Sequence, residues 1–597
     1  MTNYQPKFLP LLQEDKERYD IEIFDIILVT GDAYVDHPSF GTALLGRLLW
    51  EKGFTVGIIS QPDWRKNDDF TKLGRPNLFF SVSSGNVDSM VNEFTPALKH
   101  REKDLYSPSG NKLRPPRSVS VYTDRLHALF PDTPIIIGGI EASLRRFAHY
   151  DYWSDSVRQS VLADAPADLL IFGMGETQIC EVAERLSKGR FDLSDIPGTA
   201  CKISKKIWEP DDSQIIIPSF EEVRLSPKHY ISAFNTIHNE MNPFIGKRLA
   251  QTHPKCVIVA NRPTMPLNPG ELDKLYLLPF TRRSHPAYHA VIPALDPIRF
   301  SVTSHRGCFG ECSFCAISLH QGRIIQSRGE DSIVEEVTRL THDPLFRGTV
   351  TDVGGPTANM YGAYCHKWWK TGPCFEKKCS PECPHLDISQ ERYLDLLDRL
   401  EEIEGVKKVF ISSGLRYDLF PGHEKKVLKR LTRHISGHLK VAPEHIVPHV
   451  LALMNKPGAD EFEKFRKSFE DTWSGKEKRQ YLLPYFISGH PGTTMEDMII
   501  LAEYMRDKSI YVEQVQDFTP TPMTASTTMY HTGLTLSGDE QIYIPRGHEK
   551  ILQRAIIHYR DPGKYTLVRE ALESSKRRDL IGNTRNCLIP DRRKRKK

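Results

Sequence analysis

A chain of 597 residues with 80 basic and 76 acidic side chains, 39% apolar and 26% charged, has the make-up of a soluble globular protein and is too long for one core, which predicts roughly two to four domains. Its formal charge of +4 is too small at this length to require a nucleic-acid partner. The sequence shows neither an apolar run long enough to span a bilayer nor a basic-then-apolar leader, so a cytoplasmic protein with no membrane partner is expected.

In chain order, Asp25–Thr30 reads as a buried strand, Gly41–Gly53 has helical apolar spacing closed by glycine, and Phe54–Ile59 reads as a second strand. Strand, helix, strand at this spacing is a parallel crossover unit. Further strands are expected at Leu78–Val82, Pro134–Gly139 and Asp168–Gly173, the last followed by a helix over Met174–Arg185. The expectation is an α/β, doubly wound sheet over about the first 190 residues, with a mixed extension to residue 290. Gly138–Arg146 and Gly173–Thr177 either line a crevice or simply supply tight turns.

The loop Asp36-His-Pro-Ser-Phe-Gly41 is similar to the cobalamin-binding signature of Asp, one residue, His, two residues, Gly. Here Asp36 directly precedes His37, and Gly41 falls four positions after it where three are needed. A cobalamin-binding-like fold without that ligand is therefore expected, with His37 a structural residue.

From residue 291 to 565 strands and helices alternate. Strands are predicted at Ile298–Ser304, Thr349–Val353, Lys408–Ser412, His438–Ala442, Leu482–Ser488 and Val512–Phe518, with helical spacing between them. Six such units describe a partial parallel (β/α)6 barrel, whose chemistry belongs on loops at the strand C-termini. The loop after the first strand reads SHRGCFGECSFCAIS and places Cys308, Cys312 and Cys315 at C-x3-C-x2-C spacing. Of eleven cysteines, seven fall between Cys308 and Cys383, a clustering that argues for metal ligation in a reducing compartment. Three thiolates leave one coordination position for a ligand the protein does not supply. Zinc completed by a fourth protein ligand such as His305 is the alternative.

These residues resemble the cluster loop of the radical S-adenosylmethionine superfamily, and the long N-terminal domain, the VGGPTANMYG segment and a cysteine-bearing insert (361–388) are similar to the YgiQ-type group over nearly the whole chain. The resemblance implies a radical SAM barrel in which Cys308, Cys312 and Cys315 hold a [4Fe-4S] cluster and S-adenosyl-L-methionine completes it. It implies cofactor contacts from Phe314 (adenine), from Gly354 and Gly355 at the second strand end, from Ser412 and Arg416 at the third, and from Glu444 at the fourth. Pro356 stands where the family usually has an acidic residue, leaving the methionine amino group to backbone carbonyls. Arg306 is expected to temper the cluster's negative charge. The implied reaction is a 5'-deoxyadenosyl radical taking hydrogen from an unidentified substrate, with a reducing partner such as flavodoxin or ferredoxin. An iron-sulfur or zinc scaffold without turnover and an RNA-modifying radical enzyme are the alternatives.

Cys365, Cys374, Cys379 and Cys383 form a second group at C-x8-C-x4-C-x3-C, enough for an auxiliary iron-sulfur cluster or a zinc site, with His366 and His385 as substitutes; free or regulatory thiols are the other reading. The segment Phe518–Met529, with paired prolines, either borders the substrate opening or is a rigid connector. Residues 566–597 read as a basic C-terminal tail ending in Arg592-Arg-Lys-Arg-Lys-Lys597, a solvated charge run or a weak nucleic-acid contact.

Overall fold

The first strand, Ile26–Thr30 (β1), is apolar at every position but its last, as a strand covered on both faces must be. In this computed structural model, which describes residues 5–374, 379–420, 424–473, 480–510, 512 and 515–591, β1 is joined by the helix Gly41–Glu51 (α1) to Val56–Ser60 (β2). Phe79–Ser83 (β3), Ile135–Gly138 (β4) and Leu169–Ile171 (β5) follow, and Glu176–Ser187 (α2) leaves the last of them. All five strands are parallel, in the order β5-β4-β3-β1-β2. Alternate residues go to opposite cores. Ile27, Val29, Phe80, Val82 and Ile137 pack on one face, while Ile26, Leu28, Phe79, Ile136 and Leu169 pack on the other. The order reverses between β1 and β3, and such a switch point opens a crevice at the strand C-termini.

The sheet does not stop near residue 190. Thr199–Ser204 (β6), Gln214–Ile216 (β7), Arg248–Thr252 (β8) and Cys256–Ala260 (β9) extend it beyond β5 in the order β7-β8-β9-β6. The joins β5/β6, β6/β9 and β9/β8 are antiparallel. The edge of β5 would otherwise leave a row of unpaired backbone groups, and the mixed extension supplies their partners.

The second unit is a curved run of parallel strands. Ser301–Thr303 (β10) pairs Asp352–Gly354 (β12), and Thr349–Val350 (β11) pairs Lys408–Val409 (β13). A parallel bridge, Leu415 to Val441, links the third strand to His438–Glu444 (β14), which continues to Tyr481–Ser488 (β15) and Val515–Asp517 (β16). Six units in sequence order match the expected partial barrel. Helices Glu330–Thr341 (α3) and Glu391–Glu401 (α4) bury Ile333, Val337, Leu394, Leu397 and Leu400 against it.

Residues 566–591 are not a tail. Tyr565–Ser574 (α7) packs beside His548–Ile557 (α6), and Val568, Ala571, Leu572, Leu588 and Ile589 join the barrel core. The basic composition of this stretch conceals an apolar helical stripe. The terminal run 592–597 lies outside the described residues. No described helix is long and apolar enough to cross a membrane.

Candidate functional site

The three-cysteine loop leaves β10 through Gly307, whose φ of +86° and whose packing against Ile324 O, 2.1 Å from a would-be Cβ, demand glycine. Backbone bonds then pin the loop from both sides. Cys308 N–H donates to Gly322 O (3.1 Å), Ser313 N–H to Met454 O (3.0 Å), and Ser526 N–H to Ser313 O (2.8 Å). Asn455 Nδ2 donates to Glu311 O at 2.6 Å. The helix Ala525–Thr532 (α5), which begins inside the Phe518–Met529 segment, thus braces the cysteine loop; its Ser526 Oγ also lies 2.6 Å from His490 Nε2.

Cys308, Cys312 and Cys315 are free, partly buried thiols. Burial pushes Cys315 up to about 12 and Cys308 in the same direction, and the neighbouring Cys312 raises both further. Three thiolates facing one another in a poorly hydrated site repel unless a cationic centre lies among them. Among the described residues they are not a set whose ligand atoms all come within 4.8 Å of one another. A single zinc with Zn–S bonds of about 2.3 Å would draw them to about 3.8 Å, whereas a cluster spreads its thiolates over several irons. Three thiol donors on one loop, with a position left for a further ligand, fit an iron-sulfur centre.

The cation beside these thiols is not Arg306. Arg306 Nη1 donates to Glu176 Oε1 (2.7 Å) and Nε to Tyr276 OH (2.9 Å), buried against the N-terminal unit. The left-handed turn at Gly307 (φ +86°) breaks the extended run between Arg306 and Cys308, and the bonds to Glu176 and Tyr276 hold the guanidinium on the N-terminal unit. Arg416 takes the place instead. A Cβ on Gly310 would meet its Nη1 at 2.6 Å, and its charge acts on both Cys308 and Cys312. Burial opposes that charge, but Asp418, in a bidentate pair with it, and the two cysteines outweigh the burial and raise its pKa. Asn359 fixes the Arg416 backbone from both sides, accepting from its N–H and donating to its carbonyl at 2.9 Å each. Neither Asp418 nor Asn359 was singled out from sequence; the Arg-x-Asp spacing was the available signal.

Glu444 closes β14 with φ +67°, a conformation that non-glycine residues adopt at a cost and that concentrates at functional sites. It is buried, its Oε2 has no hydrogen-bond partner, and Lys456 Nζ approaches Oε1 only to 3.9 Å. Burial pushes its carboxyl up to about 7 against the opposing pull of Lys456. Lys456 also acts on Cys315, so this pair borders the cysteine loop. Phe314 packs edge-on against His490 with ring centroids 6.1 Å apart.

Gly354 and Gly355 end β12 where no side chain fits. A Cβ on Gly354 would lie 2.7 Å from Ser413 Oγ, and one on Gly355 would lie 2.7 Å from the His305 ring. Both line a cavity of about 640 Å³ that runs to the crevice of the first sheet, where Gly138, Gly139, Gly173 and Gly175 form its far wall. The glycine-rich strand ends of the N-terminal unit thus do line a crevice. Ser412 is not on it. It is exposed, and its Oγ donates to Thr351 O (2.7 Å), while Ser413, bonded to Asp352, faces the cavity. Successive residues leaving a strand point to opposite sides, and the register could not be read from the serine pair alone.

His37 is buried with both ring nitrogens engaged, Nδ1 at 3.1 Å from the Ser39 N–H and Nε2 at 3.1 Å from Arg282 Nη1, and burial together with Arg282 keeps it neutral. Both nitrogens are thus occupied by groups of the protein. Of the second cysteine group, Cys365, Cys379 and Cys383 share an apolar cluster with Cys308, Phe309 and Trp368, directly behind the first loop. A two-residue ladder, Tyr364–Cys365 against Leu386–Asp387, zips the insert shut. Cys374 flanks residues that are not described, and the four sulfurs do not gather within 4.8 Å of one another.

Comparison with known proteins gives matches over both halves. Residues 8–301 match the family Radical SAM N-terminal, and residues 513–597 match a domain of unknown function, DUF3362. A UPF0313 protein of Methanosarcina acetivorans is 51% identical over 99% of this chain and 83% of the relative. One from Clostridium perfringens is 47% identical over 98% and 90%. Among solved structures, the radical S-adenosylmethionine methyltransferase TsrM from Kitasatospora setae superposes with a TM-score of 0.48 at 13% identity, over 94% of this chain and 92% of that one. At that score the likeness fixes neither reaction nor ligand.

Proposed function

Because the chain belongs to the UPF0313 family of radical S-adenosylmethionine proteins, we propose that it is a radical enzyme whose [4Fe-4S] cluster is held by Cys308, Cys312 and Cys315. When bound together with S-adenosylmethionine and reduced, that cluster supplies one-electron cleavage of the sulfonium to a 5'-deoxyadenosyl radical. The observation that carries the reading is the loop itself: three partly buried thiols at the exit of the first barrel strand, flanked by Arg416 and Lys456. The protein's share is orientation, electrostatics and exclusion of water. Arg416 offsets the thiolates' charge. Glu444, with an unpartnered oxygen, is placed to accept hydrogen bonds from a polar part of the cosubstrate. Gly354 and Gly355 expose backbone on the wall where a side chain would block approach. The 640 Å³ cavity, lined by Gly354, Gly355 and His305 on one side and by the strand ends of the first sheet on the other, offers room for a substrate between the two units.

Anaerobic reconstitution with iron and sulfide, then dithionite and S-adenosylmethionine, tests this. The wild-type chain is expected to yield 5'-deoxyadenosine, and yield no higher than that of Cys312→Ala would sink the proposal. The second cysteine group belongs to the same test: iron and zinc bound by a chain lacking Cys308, Cys312 and Cys315 would be the mark of a further metal in the insert.

A further inference from the structure

At the opposite end of the barrel, where its strands begin, α4 carries Asp398 and Glu401 one turn apart, facing the short turn Thr432–His434. His434 is fully buried. Its Nδ1 lies 3.0 Å from Val409 O, and its own carbonyl accepts from Ile411 N–H at 2.9 Å, so the ring is wedged against β13 in one orientation. With the proton on Nδ1 donated to that carbonyl, Nε2 keeps a lone pair. Nε2 is buried, has no hydrogen-bond partner, and faces Asp398 Oδ1 at 3.7 Å. Glu401 Oε1 stands 3.7 Å from Nδ1, at the neighbouring edge of the ring. A lone pair set against the Asp398 oxygen away from water is unfavourable unless something positive sits between them.

We propose that Asp398, Glu401 and His434 form a site for one divalent first-row transition ion, taken by one imidazole and two carboxylates. The ligand atoms of the three lie within 4.8 Å of one another, a spread that bonds of about 2.0–2.2 Å to a common ion can span. An imidazole whose second nitrogen is held by a backbone carbonyl is the arrangement that orients metal-binding histidines. The mixed nitrogen and oxygen set suits Mn²⁺, Fe²⁺ or Zn²⁺ over Ca²⁺ or Mg²⁺. The nearby arginines occupy mainly the outer oxygens: Arg430 Nη2 donates to Asp398 Oδ2 (2.6 Å) and Arg433 Nη2 to Glu401 Oε2. Only Arg433 Nη1, 3.5 Å from Asp398 Oδ1, competes for an inner oxygen, and that side chain is 60% exposed and free to turn outward. The ion would clamp α4 to the turn that feeds β14. That face of a barrel serves stability, and the site stands apart from the cysteine chemistry.

Mn²⁺ titration of the anaerobically reconstituted full chain, followed by the electron paramagnetic resonance of the free ion, separates this site from the thiols, which bind Mn²⁺ poorly. One Mn²⁺ per chain is expected. Asp398→Asn, on a partly exposed side chain, should weaken it at least about tenfold, as should His434→Ala, with circular dichroism confirming the fold of each. Arg433→Ala should tighten it by removing a competing cation. Absence of saturable Mn²⁺ binding, or Asp398→Asn binding as the wild type does, would show an arginine-neutralised acidic patch and overturn the site.

Discussion

Arg416 is the residue on which the electrostatics of the cysteine loop turn. Removing its charge in Arg416→Gln leaves the thiolates less compensated and Asp418 unpaired in a buried position. The expected outcome is a cluster reduction potential shifted to a more negative value, read by a redox titration of the reduced cluster's paramagnetic signal; an unchanged potential would mean that the guanidinium serves packing alone. Glu444 makes a prediction in pH. Its folded carboxyl holds a proton up to about 7, against an ordinary value of 4.5, so between those values the unfolded chain binds fewer protons than the folded one. Stability therefore falls as pH rises through that window. Glu444→Gln should raise the melting temperature at pH 8 by the equivalent of up to ~3 kcal/mol and change little at pH 4. Equal effects at both pH values would show that ionisation is not the cost.

At the scale of elements, the end of β12 is shaped by exclusion. Gly355→Ala would drive a methyl into the His305 ring, and overpacking of this kind costs ~1–3 kcal/mol; a wild-type melting temperature together with full 5'-deoxyadenosine yield would refute the tight fit. Helix α4 buries Leu394, Leu397 and Leu400 completely or nearly so. Leu397→Ala should lower stability by ~2–5 kcal/mol in denaturant titration. The apolar stripe of α4 and the apolar runs of β1 to β5 are both legible, since period and burial are written in consecutive residues. Helix α7 was not recognised because its stripe is short and surrounded by arginine and lysine. Which of Ser412 and Ser413 faces the cavity is not legible, because it depends on strand register, which neighbouring strands set.

For the whole molecule, the two units are joined by buried ion pairs as well as apolar contact. Arg306 reaches Glu176 across 130 residues, and Arg282 pairs with Glu336 of α3. Arg306→Ala would leave Glu176 buried without its partner, at ~3–5 kcal/mol. Limited proteolysis should then cut between the units faster than in the wild type, whereas an unchanged digestion rate would show that the apolar contact suffices.

The cysteine spacing, the doubly wound pattern and the six barrel units all lie within short stretches of chain, and local periodicity and ligand spacing carry them. The partner of Arg306, the place of Arg416 beside the thiols, the strained carboxylate of Glu444 and the cavity shared by two units depend on segments brought together from different parts of the chain. Charge and burial act through space, so these features exist only once the chain has closed around them.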